Sequence, residues 1–176
     1  MTAMILTLMA VAAGEPCVSG VPVGQRPGPY SFLIATGPDR GKQECYVCAQ
    51  ADKPTVIVFG RALSPATGKL LAAIDAEVIA SKDPRLKCWF TQLTDAADLD
   101  ALGKWSQTHG LKSLTVGACE DADGPPGYKL SPEAEVTVLM FVGRKVVGNV
   151  ALRADELTAE RIAEVRAGVA KISTLK

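Results

Sequence analysis

Residues 55–68, TVIVFGRALSPATG, contain the signal that decides the fold. Thr55 to Gly60 form a continuous apolar run of strand length, which is typical of a central strand buried on both faces of a sheet. Ser64 follows as a helix N-cap and Pro65 as the first helical residue. Apolar residues then recur at helical spacing over 70–79, so the stretch predicts a buried strand that leads into an amphipathic helix.

The same alternation of strands and helices continues on both sides of this stretch. Segments with strand patterning are 29–37, 85–93, 111–118 and a hairpin of 136–141 and 145–152. Two further helices are predicted, 96–110 capped by Asp95 and 159–172 capped by Thr158. Strand–helix–strand crossovers predict parallel pairs, so the chain is expected to form a single α/β domain over 29–174, closed by an antiparallel hairpin.

This order of elements, βαβα followed by ββα with an extra N-terminal strand, resembles the thioredoxin superfamily, specifically its redoxin and peroxiredoxin-like branch. The resemblance covers nearly all of the chain after its first residues. It implies a thioredoxin-like three-layer α/β/α sandwich. The mixed sheet of that fold combines a parallel βαβ half with a C-terminal ββα hairpin half.

The resemblance also implies where the family's redox site would lie, at the carboxyl end of the 55–60 strand. Ser64 falls on the family's nucleophilic cysteine and Thr67 on its partner, so that C-x-x-C has become S-P-A-T. Val136 takes the slot of the family's cis-proline, with Pro132 four residues too early. A hydroxyl forms no disulfide and does not ionise as a thiol does, so the usual active site is expected to be degenerate.

A different C-x-x-C, Cys45 and Cys48, precedes the 55–60 strand, in a loop with no obvious helix after it. One interpretation is a relocated redox pair, with Cys45 as the attacking thiol because it comes first. A second is a structural disulfide, within the pair or to Cys88 or Cys119. A third is a metal site that adds Cys88, Cys119 or His109 to the pair, although no second close pair of ligands supports it.

The remaining thiols differ in their predicted surroundings. Cys88 is expected to be a small buried hydrophobe on the face shared by Leu86 and Phe90. Cys119 is placed in a turn-rich loop over 119–135, which makes it the better candidate for an exposed or bridging thiol. His109 is expected to be a helix-end cation.

Composition excludes several classes of partner. The chain has 19 basic and 19 acidic residues and 5% aromatic residues, which argues against nucleic acid or an anionic membrane surface. Its glycines form neither a dinucleotide fingerprint nor a phosphate loop, so no cofactor is predicted. Protein thiols or another protein are the expected partners.

The first residues resemble a secretory signal. Residues 1–13 are an uncharged apolar run ending in small residues, although a basic n-region is missing. Residues 14–28 are rich in Gly and Pro and are predicted to be an extended lead-in. Export to the periplasm or the medium would leave no integral membrane segment and would place an odd number of cysteines, including Cys17, in an oxidising compartment.

The sequence therefore predicts an exported thioredoxin-fold protein that takes part in thiol–disulfide redox chemistry through a relocated C-x-x-C. If it is an enzyme, the expected activity resembles that of a thiol–disulfide oxidoreductase. The alternative is a non-catalytic binding or interaction module in which the C-x-x-C is a structural disulfide. A metal-binding accessory protein is the third hypothesis.

Overall fold

Seven strands form one sheet in the computed structural model, which describes residues 15–175. The strands are β1 (Phe32–Ile34), β2 (Gln43–Glu44), β3 (Thr55–Gly60), β4 (Lys87–Thr94), β5 (Thr115–Glu120), β6 (Val136–Val142) and β7 (Lys145–Leu152). The helices are α1 (Tyr46–Gln50), α2 (Pro65–Ala80), α3 (Leu99–Thr108) and α4 (Ala159–Ile172). The predicted signal segment, 1–13, lies outside the described residues.

The sheet is mixed, with the strand order β2-β1-β5-β4-β3-β6-β7. The three strands β3, β4 and β5 are parallel, as helical crossovers require. The hairpin β6–β7 adds antiparallel strands beside β3, and β1 adds an antiparallel strand beside β5. This topology confirms the predicted mixed sheet with its extra N-terminal strand.

Both faces of the sheet are covered. Residues of β3 alternate between two apolar clusters, Val56 and Val58 on one face and Ile57 and Phe59 on the other, all of them buried. Side chains from α2, α3 and α4 pack on the first face. The second face is covered by α1, the lead-in chain and a short 3-10 helix at Pro126–Tyr128. The two-sided burial explains why the four central residues of the strand are all apolar.

Several boundaries differ from the sequence-based expectation. The strand predicted over 29–37 is limited to Phe32–Ile34, and the strand predicted over 111–118 is Thr115–Glu120. The predicted cap Asp95 accepts a bond from the amide of Ala122 instead, and α3 begins after Asp98, whose carboxylate accepts the amides of Asp100 and Ala101. The predicted loop position of Cys119 is also wrong. Strand β5 continues through it, with Cys119 paired to Leu93 of β4.

The hairpin turn has a specific backbone geometry. Gly143 and Arg144 both have positive φ, 58° and 63°, which is the arrangement of a tight two-residue turn that matches strand twist. The turn is tied to the loop before β3, because the Gly143 amide donates to the Asp52 carbonyl at 3.1 Å. Across residues 15–175, no helix has the length and apolar character needed to cross a membrane.

Candidate functional site

The cysteine pair lies on a short helix that the sequence did not predict. Cys45 is the N-cap of α1, and its carbonyl accepts the amides of Cys48 and Ala49 at 3.1 and 3.2 Å. One helical turn thereby brings the two Cα atoms within 5.5 Å of each other and the two sulfurs to disulfide distance. The helix ends at Ala51, whose φ of 49° does not continue it.

The two cysteines differ in accessibility. Cys45 is half-buried, whereas Cys48 is exposed. Thiol–disulfide exchange requires access to the attacked sulfur, and Cys48 is the more exposed residue of the two. Chain order alone favoured Cys45 as the reactive member, and the exposure favours Cys48.

Aromatic packing holds the pair against the sheet. The ring of Tyr46 lies 5.3 Å from that of Phe32 and 5.3 Å from that of Trp89, measured between centroids. Burial raises the pKa of Tyr46 above its ordinary value. Val47 packs against the same apolar cluster. These two side chains therefore anchor α1 on the sheet through contacts that do not involve the two sulfurs.

The pair, here called the amino-end pair (Cys45 and Cys48), precedes the first residue of β3. The intervening loop contains Asp52, which contacts the β6–β7 turn through its carbonyl and through an ion pair with Arg144 at 3.1 Å. The pair thus lies near the amino ends of the parallel strands. Ligands of α/β sheets usually collect at the opposite, carboxyl ends.

That opposite end holds the predicted degenerate positions, here called the carboxyl-end site (Ser64, Thr67 and Val136). The Ser64 hydroxyl caps α2 by accepting the Thr67 amide at 3.1 Å, and the two hydroxyl oxygens are 2.9 Å apart. Thr67 is fully buried. The hydroxyls are therefore occupied with each other and with the helix end, which is a structural arrangement.

Val136 completes the carboxyl-end site. It begins β6, pairs with Gly60 of β3 and is fully buried. Its neighbour Glu135 accepts the amide of Arg61 at 3.1 Å. Within residues 15–175 every peptide bond is trans, so the described chain has no cis-proline at this position.

A groove of about 670 Å³ adjoins Ser64 at this end. Most of its walls are apolar, and they come from the start of α2, the start of α4 and the chain between β7 and α4. The lining side chains that carry a charge are Lys69 and Glu135. Neither a thiol nor an imidazole lines this groove.

The three other described cysteines lie apart from the pair and are unbonded. Cys88 is buried in the core, and burial raises the pKa of its thiol well above the ordinary value. Burial, together with the charge of Asp121, raises the pKa of Cys119. Burial raises the pKa of Cys17 as well, although Arg153 opposes it. Since the thiolate is the reactive form, burial lowers the reactivity of these thiols, most strongly at Cys88.

The structure does not bring the predicted metal ligands together. His109 is the C-cap of α3, and its ring packs edge-on against that of Trp105, with centroids 4.9 Å apart. A Cβ added at Gly68 would overlap the His109 ring, so the imidazole is packed on the start of α2. Over residues 15–175, no three His, Cys, Asp or Glu side chains form a group that could hold a metal ion.

A cavity beside Cys48 was missed by the sequence reasoning. Its volume is about 330 Å³, and Arg26, Cys48 and Arg144 line it together with the apolar residues Pro27, Pro29, Val47, Ala51 and Phe141. These residues come from the lead-in, α1 and the β6–β7 turn. No sequence signal connects three segments so far apart. Tertiary contacts join them: the Gly24 amide donates to the Val146 carbonyl, the Val146 amide donates to the Gln25 carbonyl, and Asp52 contacts the β6–β7 turn.

Comparison with known proteins gives a match in structure alone. No protein-family model and no curated protein matches the chain. A candidate protein disulfide isomerase from Bacteroides thetaiotaomicron superposes with a TM-score of 0.64 at 15% identity, over 84% of this chain and 90% of that one. The chain has a thioredoxin-like fold.

Two further solved structures are similar to this chain. A secreted disulfide oxidoreductase of Mycobacterium tuberculosis matches with a TM-score of 0.56 at 13% identity, over 81% of this chain and 95% of that one. A peroxiredoxin-like protein from Aquifex aeolicus gives 0.57 at 14% identity, over 86% and 88%. The predicted resemblance to redoxins and peroxiredoxin-like proteins is confirmed at the level of structure. At these identities the likeness establishes the fold and no activity.

Proposed function

We propose that this protein exchanges thiols and disulfides through the amino-end pair. The observation that carries the proposal is the exposure of Cys48 in a pair of cysteines at disulfide distance. A disulfide accessible at one sulfur is open to in-line attack by an external thiolate. The fold also occurs in a secreted disulfide oxidoreductase, which supports the proposal without establishing it.

A purely structural role explains the pair less well. A bridge across three residues of sequence closes a small ring, for which the chain-entropy model gives only about 2 kcal/mol of stabilisation. The bridge joins two residues of one short segment and no other element. Tyr46 and Val47 already hold that segment on the sheet.

The exchange reaction follows from the accessible sulfur. In the oxidised protein, a substrate thiolate attacks the Cys48 sulfur, and the bond between Cys45 and Cys48 breaks. Its electron pair leaves with Cys45 as a thiolate. A second substrate thiolate then attacks the substrate's own sulfur in the mixed disulfide and releases Cys48 as a thiolate. The substrate is oxidised to a disulfide as the pair is reduced, and the reverse sequence reduces a substrate disulfide.

Trapping the mixed disulfide tests this proposal. In the Cys45→Ser variant, Cys48 has no resolving partner, so incubation with a disulfide-containing peptide is expected to leave the peptide bound covalently to Cys48. In the Cys48→Ser variant, the half-buried Cys45 is expected to trap far less. Intact-mass spectrometry with peptide mapping measures both. Cys88→Ser is the matched control, and equal trapping by all three variants would contradict the proposal.

The second candidate function is a non-catalytic binding module, favoured by the apolar groove of about 670 Å³ at the carboxyl-end site. In that case the groove, and not the cysteine pair, performs the function. A Cys45→Ser, Cys48→Ser double variant that retains the protein's cellular role would support this candidate. Loss of that role in a double variant that remains folded would exclude it.

Export is part of the proposal, because a stable disulfide is expected in an oxidising compartment. The signal-like segment 1–13 supports it. Fusion of residues 1–28 to a reporter that is active only when exported tests it directly. An inactive reporter, or a purified protein that retains residue 1, would contradict export by cleavage. The substrates in that compartment would be protein thiols or small thiols.

A further inference from the structure

We infer that the cavity beside Cys48 receives a small thiol that carries carboxylate groups, and that this thiol is the exchange partner of the amino-end pair. The inference rests on the proposed function and names its substrate class. The cavity of about 330 Å³ is of a size that holds a small molecule, whereas a protein surface needs a broader contact. Cys48 forms part of its wall, so a thiol bound there lies beside the sulfur that it attacks.

Charge favours an anion in this cavity. Two arginines, Arg26 and Arg144, line it, and no carboxylate does. Arg26 is exposed and takes part in no ion pair among residues 15–175. Arg144 pairs with Asp52, and both side chains are more than half exposed, at 57% and 73%. A ligand carboxylate can therefore replace Asp52 at little cost, because exposed ion pairs are weak.

The apolar walls of the cavity favour a ligand whose remaining part is apolar. Proline, valine, alanine and phenylalanine side chains surround the space between the arginines and Cys48. Phe141 is buried and packed edge-on against Trp89, with centroids 6.5 Å apart, so the wall behind the cavity is rigid. A ligand with a methylene thiol arm and charged ends would place its apolar part against these side chains and its charges against the two arginines. Its thiol would approach Cys48 while its carboxylates face the arginines.

The chemical step is balanced with two molecules of this thiol. The first thiolate bonds to the Cys48 sulfur, and the pair's disulfide breaks to leave Cys45 as a thiolate. The second thiolate attacks the ligand sulfur of the mixed disulfide and releases Cys48. Two small thiols are oxidised to one disulfide, the protein disulfide is reduced to two thiols, and the electron count closes without another reactant.

Rates of reduction with two probe thiols test the inference. Glutathione is the anionic probe and mercaptoethanol the uncharged one, each mixed with the oxidised full chain and followed by acid quench and mass spectrometry. Arg26→Gln and Arg144→Gln are each expected to lower the glutathione rate about threefold at low ionic strength, with the mercaptoethanol rate unchanged. About 1 M salt should remove the difference between variants and wild type.

Two further variants sharpen the test. Asp52→Asn removes the competitor of the ligand carboxylate, so it should raise the glutathione rate. Arg161→Gln is the matched control, because it removes one exposed positive charge from α4, away from the cavity. Glutathione should reduce the Arg161→Gln variant at the wild-type rate. That result would exclude an effect of net charge alone.

The outcomes separate the inference from the function on which it rests. If neither probe reduces the wild-type pair, the proposed exchange function fails and the inference fails with it. If both probes react and the arginine variants slow them equally, or slow neither, exchange stands and the anionic substrate class is overturned. A loss in Arg161→Gln equal to that in Arg144→Gln would also overturn it.

Discussion

The amino-end pair and the carboxyl-end site lie near opposite ends of β3 and differ in the reactive atoms that they present and in the exposure of their residues. The pair has two sulfurs at disulfide distance, and Cys48 is an exposed residue. The carboxyl-end site has the helix start that the fold uses to position reactive groups, but it presents two hydroxyls bonded to each other. A fold's usual location for chemistry therefore does not determine where reactive groups lie in a given chain.

The largest expected effect is a loss of activity in the Cys48→Ser variant. If that loss is not observed, the proposed difference between the two ends of β3 is wrong. Cys48→Ser should lower the rate of reduction of a protein disulfide, such as insulin, by at least about 100-fold, because it removes the accessible sulfur. Ser64→Ala should leave that rate within about twofold, since its hydroxyl only caps α2. Turnover with a supplied reductant measures both. A large loss in Ser64→Ala would relocate the chemistry to the carboxyl end.

Alkylation of the reduced protein compares the pair with the single thiols. At pH 8, iodoacetamide should modify Cys48 first and Cys88 at least about 100-fold more slowly, because burial raises the pKa of Cys88 and blocks access. Cys119, whose pKa is also raised, should react at an intermediate rate. Mass mapping over time measures the order. Modification of Cys88 before Cys48 in the folded protein would contradict the account.

The free energy of unfolding distinguishes an exchange disulfide from a structural disulfide at the amino-end pair. Tyr46→Ala should lower the free energy of unfolding by about 3 kcal/mol, because it removes an aromatic ring packed between Phe32 and Trp89. Reduction of the pair should lower it by about 2 kcal/mol or less. Urea unfolding measures both, with Tyr46→Phe as the control that keeps the ring. Complete unfolding on reduction alone would instead favour the structural disulfide.

The smallest expected effect lies at the carboxyl end. Ser64→Ala should cost about 1 kcal/mol of stability, the usual value for an N-cap. Ser64→Asp keeps a capping oxygen and should restore most of it. Urea unfolding with unchanged slope measures the loss. If Ser64→Ala is neutral, the hydroxyl does not cap α2 as the bond to Thr67 implies.

Much of the fold followed from the sequence because its signals are local. The apolar run of β3, the cap and proline that begin α2 and the VGR turn each depend on neighbouring residues alone. The start of α3 was wrong because Asp95 and Asp98 are equivalent as caps in sequence. In the folded protein the Asp95 carboxylate accepts the distant Ala122 amide, and the Asp98 carboxylate accepts the first amides of α3.

The candidate site was less predictable because it depends on distant contacts. Helix α1 is too short for a helical period, and Tyr46 is fixed by rings on two other strands. The cavity beside Cys48 requires Arg26 and Arg144 to meet across more than a hundred residues of chain. The C-x-x-C spacing identified the pair itself, but its exposure is a property of the folded surface.

The reduction potential of the amino-end pair tests the central claim most directly. Equilibration of the full chain in glutathione buffers of graded ratio, followed by alkylation and mass spectrometry, gives the fraction of the Cys45–Cys48 disulfide at each potential. Exchange at this pair predicts a value between about −270 and −120 mV, the range of proteins that exchange disulfides. A potential below about −300 mV, with no reduction of protein disulfides, would contradict exchange and leave the pair a structural disulfide.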